Sequence, residues 1–158
     1  MHGQAYYRKG MIAHVNTALE EYLWLAAQVP EPLLDTVPPG APGSVRTALL
    51  ELALELDTVA YPALIALLEG AEPPATLPPA LLQSRRHAWE AAELMVAMKQ
   101  IRYRFQATEA LLQDTPAATW GVPGGRPTPL AAAVLALWRQ LLARLDTLAA
   151  TVAGLGVL

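Results

Sequence analysis

The chain has no cysteine. Disulfides, thiolate metal ligands and a cysteine nucleophile are therefore excluded. Charge is scarce too, with 16% of the 158 residues charged against 54% apolar, and a formal net charge of -3. The few basic residues are scattered and form no stripe with interleaved aromatics, so nucleic-acid binding is not expected. Long apolar runs are missing. Stretches such as 58–68 fall well short of the ~20 residues that a membrane-spanning helix needs, and no membrane partner is expected. The first ten residues contain no apolar signal core. Together these absences predict one soluble, cytoplasmic domain over residues 1–158. The serines, Ser44 and Ser84, sit in no nucleophile elbow, and no phosphate loop or dinucleotide fingerprint occurs.

What is abundant is helical periodicity broken by proline. Met11, Val15, Ala18, Tyr22, Leu25 and Val29 recur at three- and four-residue steps, ended by Pro30 and Pro32. After a loop of proline and glycine, Ser44 is a good N-cap for a second helix reaching about Glu69. Its inner stripe is Val45, Leu49, Leu52, Leu56, Val59 and Ala63. A second stripe, Leu50, Leu54, Tyr61, Ile65 and Leu68, lies on roughly the opposite side. A helix apolar nearly all round is buried on both sides, which with the apolar composition predicts a homodimer. Pro62 should kink this helix. A third helix is predicted from about Ala80 to Gln113, with a possible break near Ser84. Thr128-Pro129 marks the start of a fourth, with Val134, Leu137, Leu141, Leu145, Leu148 and Val152 facing inward. No segment alternates at the two-residue period of a strand. The expected class is all-α, a four-helix bundle with long proline- and glycine-rich connections.

Two of these helices carry polar pairs spaced four apart, Glu51 with Glu55 and Gln140 with Arg144. That spacing puts each pair on one helix face. Polar groups bordering a core need partners, so the four are candidates for one shared site. A solvated helix edge is the plain alternative for the two glutamates, and ligation of a harder metal is a third. Gln140 alone reads as an exposed helix former. The histidines His2, His14 and His87 lack the spacing of a helical metal pair. His14 flanks the first helix's stripe and either borders the same cleft or is simply semi-buried. Trp120 reads as a plug over one end of the bundle, while Trp24, Trp89 and Trp138 read as packing or subunit contacts. Arg85-Arg86 and Arg102-Tyr103-Arg104 read as solvated clusters.

The helix order and two local strings resemble the DinB/YfiT-like family of four-helix bundles. The strings are Ser44-Val-Arg-Thr-Ala-Leu-Leu-Glu-Leu-Ala-Leu-Glu55, and Thr128-Pro-Leu followed by Leu135-Ala-Leu-Trp-Arg-Gln-Leu-Leu-Ala-Arg-Leu-Asp-Thr-Leu148. The resemblance implies a divalent metal held by three histidines, one from the second helix and two from the fourth. It also implies activities such as thiol-dependent S-transfer or metal-dependent hydrolysis, and pairing through helices. The damage response in the family's name concerns expression. An ungapped alignment puts the three metal positions on Glu51, Gln140 and Arg144. None is histidine, and a guanidinium is not a metal ligand. No cofactor and no metal are therefore expected, and Arg144 is expected to replace the cation, paired with Glu51, Glu55 or both. The reading that follows is a metal-free, non-catalytic bundle, homodimeric, with a possible small-molecule ligand at Glu51, Glu55, Gln140, Arg144 and His14. The alternative is a divergent metal-dependent S-transferase or hydrolase-like enzyme.

Overall fold

A computed structural model describes residues 2–122 and 124–157, and among these the chain is all-helical with no strand. The α-helices are α1 (His2–Ala27), α2 (Val45–Glu55), α3 (Tyr61–Leu68), α4 (Pro79–Ala91), α5 (Leu94–Gln113) and α6 (Pro129–Gly154). Between α2 and α3 lies a π turn, Leu56–Ala60, so the two form one continuous rod. The long helices α1 and α6 make the most extensive contact, the rod and α5 pack against them, and α4 lies on the α2 part of the rod. Among the described residues no helix is long and apolar enough to cross a membrane.

Local chemistry accounts for the helix starts. The Ser44 hydroxyl accepts the Thr47 amide at 3.1 Å, and the Thr128 hydroxyl accepts the Ala131 amide at 3.2 Å. Each satisfies one of the orphan donors of a helix N-terminus. Trp120, in the short 3₁₀ turn Ala117–Trp120, is buried against α1 and α6 and donates its indole N–H to the Thr115 hydroxyl at 2.9 Å.

At Pro62 the expected disturbance takes the form of a π turn. A proline has no N–H to donate, and its ring presses on the carbonyl four residues back, here that of Thr58. The preceding turn widens instead, and the Tyr61 amide donates to the Leu56 carbonyl five residues back. A π turn holds one residue more than the α turn it replaces, which rotates everything after it by roughly one residue's arc. The inner stripe Val45, Leu49, Leu52, Leu56 is buried as the periodicity predicts, but it continues at Leu64, not Ala63, and Val59 turns outward.

Two further expectations are corrected. The third predicted helix breaks at Ala92–Glu93, where both residues are extended, not near Ser84. The second stripe of the rod is largely covered by the chain itself. Leu54 is 4% exposed and Tyr61 is buried, leaving Ile65 as its exposed member. Leu54 therefore belongs to the interior of a single chain. Leu54→Ala is expected to cost ~2–5 kcal/mol in urea unfolding and to leave the sedimentation coefficient unchanged.

Candidate functional site

Helices α1, α2 and α6 and the loop before α2 enclose a cleft of about 420 Å³. Its walls include Tyr22, Ala48, Leu148, Glu51, Gln140 and Arg144. Ser44 and Thr47 border its upper end. Three of the sequence candidates, Glu51, Gln140 and Arg144, thus face one space. Glu55 is joined to it indirectly, accepting a hydrogen bond from Gln140 Nε2 at 3.1 Å. Gln140 is accordingly half-buried and engaged, not a free helix former. His14 lies elsewhere: its exposed ring stacks on Trp138, with centroids 4.8 Å apart and planes 20° from parallel.

The expected guanidinium–carboxylate pair at the centre does not form. Glu51 is taken by Arg86 of α4, with Nη1 at 2.8 Å from Oε1. Glu55 is taken by Gln140. Among the described residues no carboxylate oxygen comes within 4.0 Å of the Arg144 guanidinium. The physical reason lies outside the two helices that carry the polar pairs. Arg86 reaches Glu51 from α4, a residue 35 positions away, and the fork of Arg144 is left to the cleft. The phenol of Tyr22, buried beside it, is pushed well above the ordinary tyrosine range by burial, and the Arg144 charge pulls it part of the way back.

The metal positions that the resemblance implies do not suit a metal. Glu51 is hydrogen-bonded to a cation, Gln140 turns its amide nitrogen to Glu55, and Arg144 is itself a cation. Among the described residues no three His, Cys, Asp or Glu side chains converge on a possible ion. Nor is the start of α2 an open anion site. The Arg46 amide donates to Leu34 and the Thr47 amide to Ser44, so Arg144 is the principal positive group facing the cleft.

The densest polar cluster is one that periodicity did not single out. Asp57, on the π turn, is only 9% exposed at its side chain and accepts from three sides. Arg104 of α5 donates to Oδ1, Trp89 of α4 donates its indole N–H to Oδ2 at 3.2 Å, and Arg85 approaches Oδ2 at 3.6 Å. The Arg104 guanidinium also lies 5.4 Å from the centre of the Trp89 ring, within cation–π range. Tyr61 is buried alongside, its hydroxyl without a hydrogen-bond partner among the described residues. Burial raises its phenol, Arg104 lowers it and Asp57 raises it again. Arg102 forks onto Glu20 of α1 at 2.9 and 3.1 Å. The arginines read as solvated clusters are thus ties between helices. The signal available in the sequence was Pro62, which required an irregular turn beside Asp57.

Compared with known proteins, the chain matches no family model, no curated protein and no solved structure.

These placements reverse the stability ranking that a central Arg144 pair would give. Arg144→Leu is expected to change unfolding free energy by less than about 1 kcal/mol, because it breaks no ion pair. Asp57→Asn is expected to cost ~1.5–3 kcal/mol, the range for hydrogen bonds to a charged group. It falls below the fully buried limit because the two guanidiniums are 39% and 47% exposed and gain water when released. Parallel urea melts of the two variants check the order.

Proposed function

We propose that the chain is a DinB/YfiT-like bundle of the four-helix type that works without a metal and holds a small anionic molecule in the cleft between α1, α2 and α6, with no reaction catalysed there. One observation carries this reading: a guanidinium lines the cleft and has no carboxylate within 4.0 Å among the described residues. A half-buried cation without a protein counter-charge favours an anion that supplies one. The neighbouring walls at Tyr22, Ala48 and Leu148 are apolar or aromatic, which suits a carboxylate carried on an apolar body. Glu51 borders the same cleft but already has Arg86, so it does not cancel Arg144. A divergent metal-dependent transferase or hydrolase would need a donor set at these positions that Glu51, Gln140 and Arg144 do not supply.

Benzoate is a suitable probe, since it pairs a carboxylate with a compact apolar ring. Calorimetric titration is expected to show saturable binding, weakened about 10–100-fold by Arg144→Gln, the equivalent of ~1.5–3 kcal/mol for a hydrogen bond to a charged group. Benzyl alcohol, matched in shape but neutral, is expected to bind more weakly than benzoate. Equal benzoate affinity in the wild type and Arg144→Gln would refute the assignment.

The homodimer belongs to this reading through a different surface from the one that the rod's second stripe suggested. On α5, Val96, Tyr103 and Leu111 are all exposed on one face, Tyr103 by 69%. With 54% of the chain apolar, an uncovered stripe of this kind favours a second copy. Sedimentation velocity is expected to give a dimer that Tyr103→Glu dissociates. A wild-type monomer at micromolar concentration removes the proposal.

A further inference from the structure

Helix α4 is attached differently from every other long helix. None of its 13 residues is buried. Its inner face consists of Leu82, Arg86 and Trp89, at steps of four and three, all only half-buried. Apart from the Trp89 ring, which packs on the core, what holds it to the rod is polar: Arg86 to Glu51 at 2.8 Å, Arg85 to Asp57 at 3.6 Å, and the Trp89 indole to Asp57 at 3.2 Å. The Arg86–Glu51 pair, exposed on both sides, is weak and screened by salt. The helix is set off from its neighbours at both ends. Residues 71–78 before it are almost wholly exposed and carry Pro73, Pro74 and Pro78. After it, Ala92 and Glu93 are extended, with ψ of 139° and 150°, separating α4 from α5.

Where the C-terminal end of α4 meets α2 and α5, the chain leaves a second cavity, of about 270 Å³. Leu49, Leu50 and Ala53 of α2, Leu94 and Ala97 of α5, and the Trp89 ring supply its apolar lining. Its charged and polar neighbours, Arg46, Thr47 and Glu90, keep their heads toward water: Arg46 pairs with Asp35 at 2.8 Å, and the exposed Glu90 lies 3.6 Å from the His87 ring. The cavity is thus mostly apolar, with its charge at the solvated edge, and is slightly below the ~300 Å³ at which pockets for drug-sized ligands begin.

We infer that this cavity is a second binding site, for a compact uncharged aromatic molecule, and that α4 is its lid. The occupant follows from the lining. A charged ligand would lose its hydration without compensation, whereas an uncharged ring gains contact with Trp89 and the leucines. For such a molecule to enter, the Arg86, Arg85 and Trp89 contacts that latch α4 must break together, which exposes no fully buried residue of α4 itself but leaves Asp57 with Arg104 alone.

Indole is the probe, added to the full chain. Calorimetry is expected to show saturable binding that survives in Arg144→Gln, since that residue faces the other cleft. Ala97→Phe, which fills the cavity, is expected to weaken binding at least tenfold. Because that variant crowds a buried position, Leu50→Phe at the half-buried rim is a second test with the same expected direction. Hydrogen exchange supplies a readout independent of either variant. Saturating indole is expected to slow the amides of 79–97 and not those of α6, and 1 M sodium chloride without indole is expected to speed the amides of 79–91 selectively. No saturable binding at millimolar indole, or undiminished binding in both phenylalanine variants, overturns the site. Protection centred on α6 also overturns it, and α4 exchange indifferent to salt overturns the latch.

Discussion

The arrangement of the helices depends on one buried carboxylate and the irregular turn that presents it. Pro62 forbids an ordinary α turn, the π turn absorbs the missing hydrogen bond, and Asp57 rides on that turn. A nearly buried carboxylate is costly unless every lone pair is occupied. Here α4 sends a tryptophan N–H and an arginine, and α5 sends another arginine. The cost of burying Asp57 is therefore offset only when α4 and α5 are both docked. Leu or Val at position 57 would let the rod pack against α4 and α5 with fewer directional demands. The carboxylate makes the packing specific to one relative placement, a role that buried polar groups serve in other folds at no certain gain in stability.

The same economy governs the remaining charge. With 16% of residues charged, the chain spends several of its arginines on ties between elements far apart in sequence: Arg102 to Glu20, Arg104 and Arg85 to Asp57, Arg86 to Glu51. Against that pattern Arg144 stands out. It occupies a helix whose neighbours contribute apolar contact, it faces a cavity, and its charge partly offsets the upward shift that burial gives a neighbouring phenol, in place of binding a carboxylate. A guanidinium used for structure would be expected to resemble the other four. That contrast, within one molecule, is the physical basis for assigning it to a ligand.

Much of the helical framework was legible because it rests on local chemistry. Ser44 and Thr128 cap the helices they were expected to cap, Pro30 follows the end of α1, and the inward faces of α1 and α6 follow their periodicity. The failures share a cause. Spacing along one helix reveals which residues share a face, but not which distant residue meets that face. Glu51 and Arg144 do face one cleft, yet the partner of Glu51 comes from α4, whose role as a separate helix hinged at Ala92–Glu93 had no strong signal in the sequence. The homodimer stripe failed for a different reason. Apolar all round correctly signals burial on two sides, and here the second side is met by the same chain. Past the π turn, a rigid 3.6-residue count misassigns Val59 and Ala63, because one inserted residue shifts the register.

Glu51 belongs to both proposed events. Its carboxylate borders the cleft that holds Arg144 and also anchors α4 through Arg86. Thr47, one turn earlier on α2, lines both cavities. An anion seated on Arg144 adds negative charge near Glu51, and that charge strengthens the attraction to Arg86 and favours the docked position of α4. When α4 undocks, Arg86 is released and Glu51 is left to the cleft, where its uncompensated charge opposes an anion. The two effects are one coupling seen from either side, since any free energy by which the first ligand favours the closed lid must equal that by which the closed lid favours the first ligand. Its sign is set by charge alone: anion binding and a docked α4 support each other, and the support weakens as salt screens the Glu51–Arg86 contact.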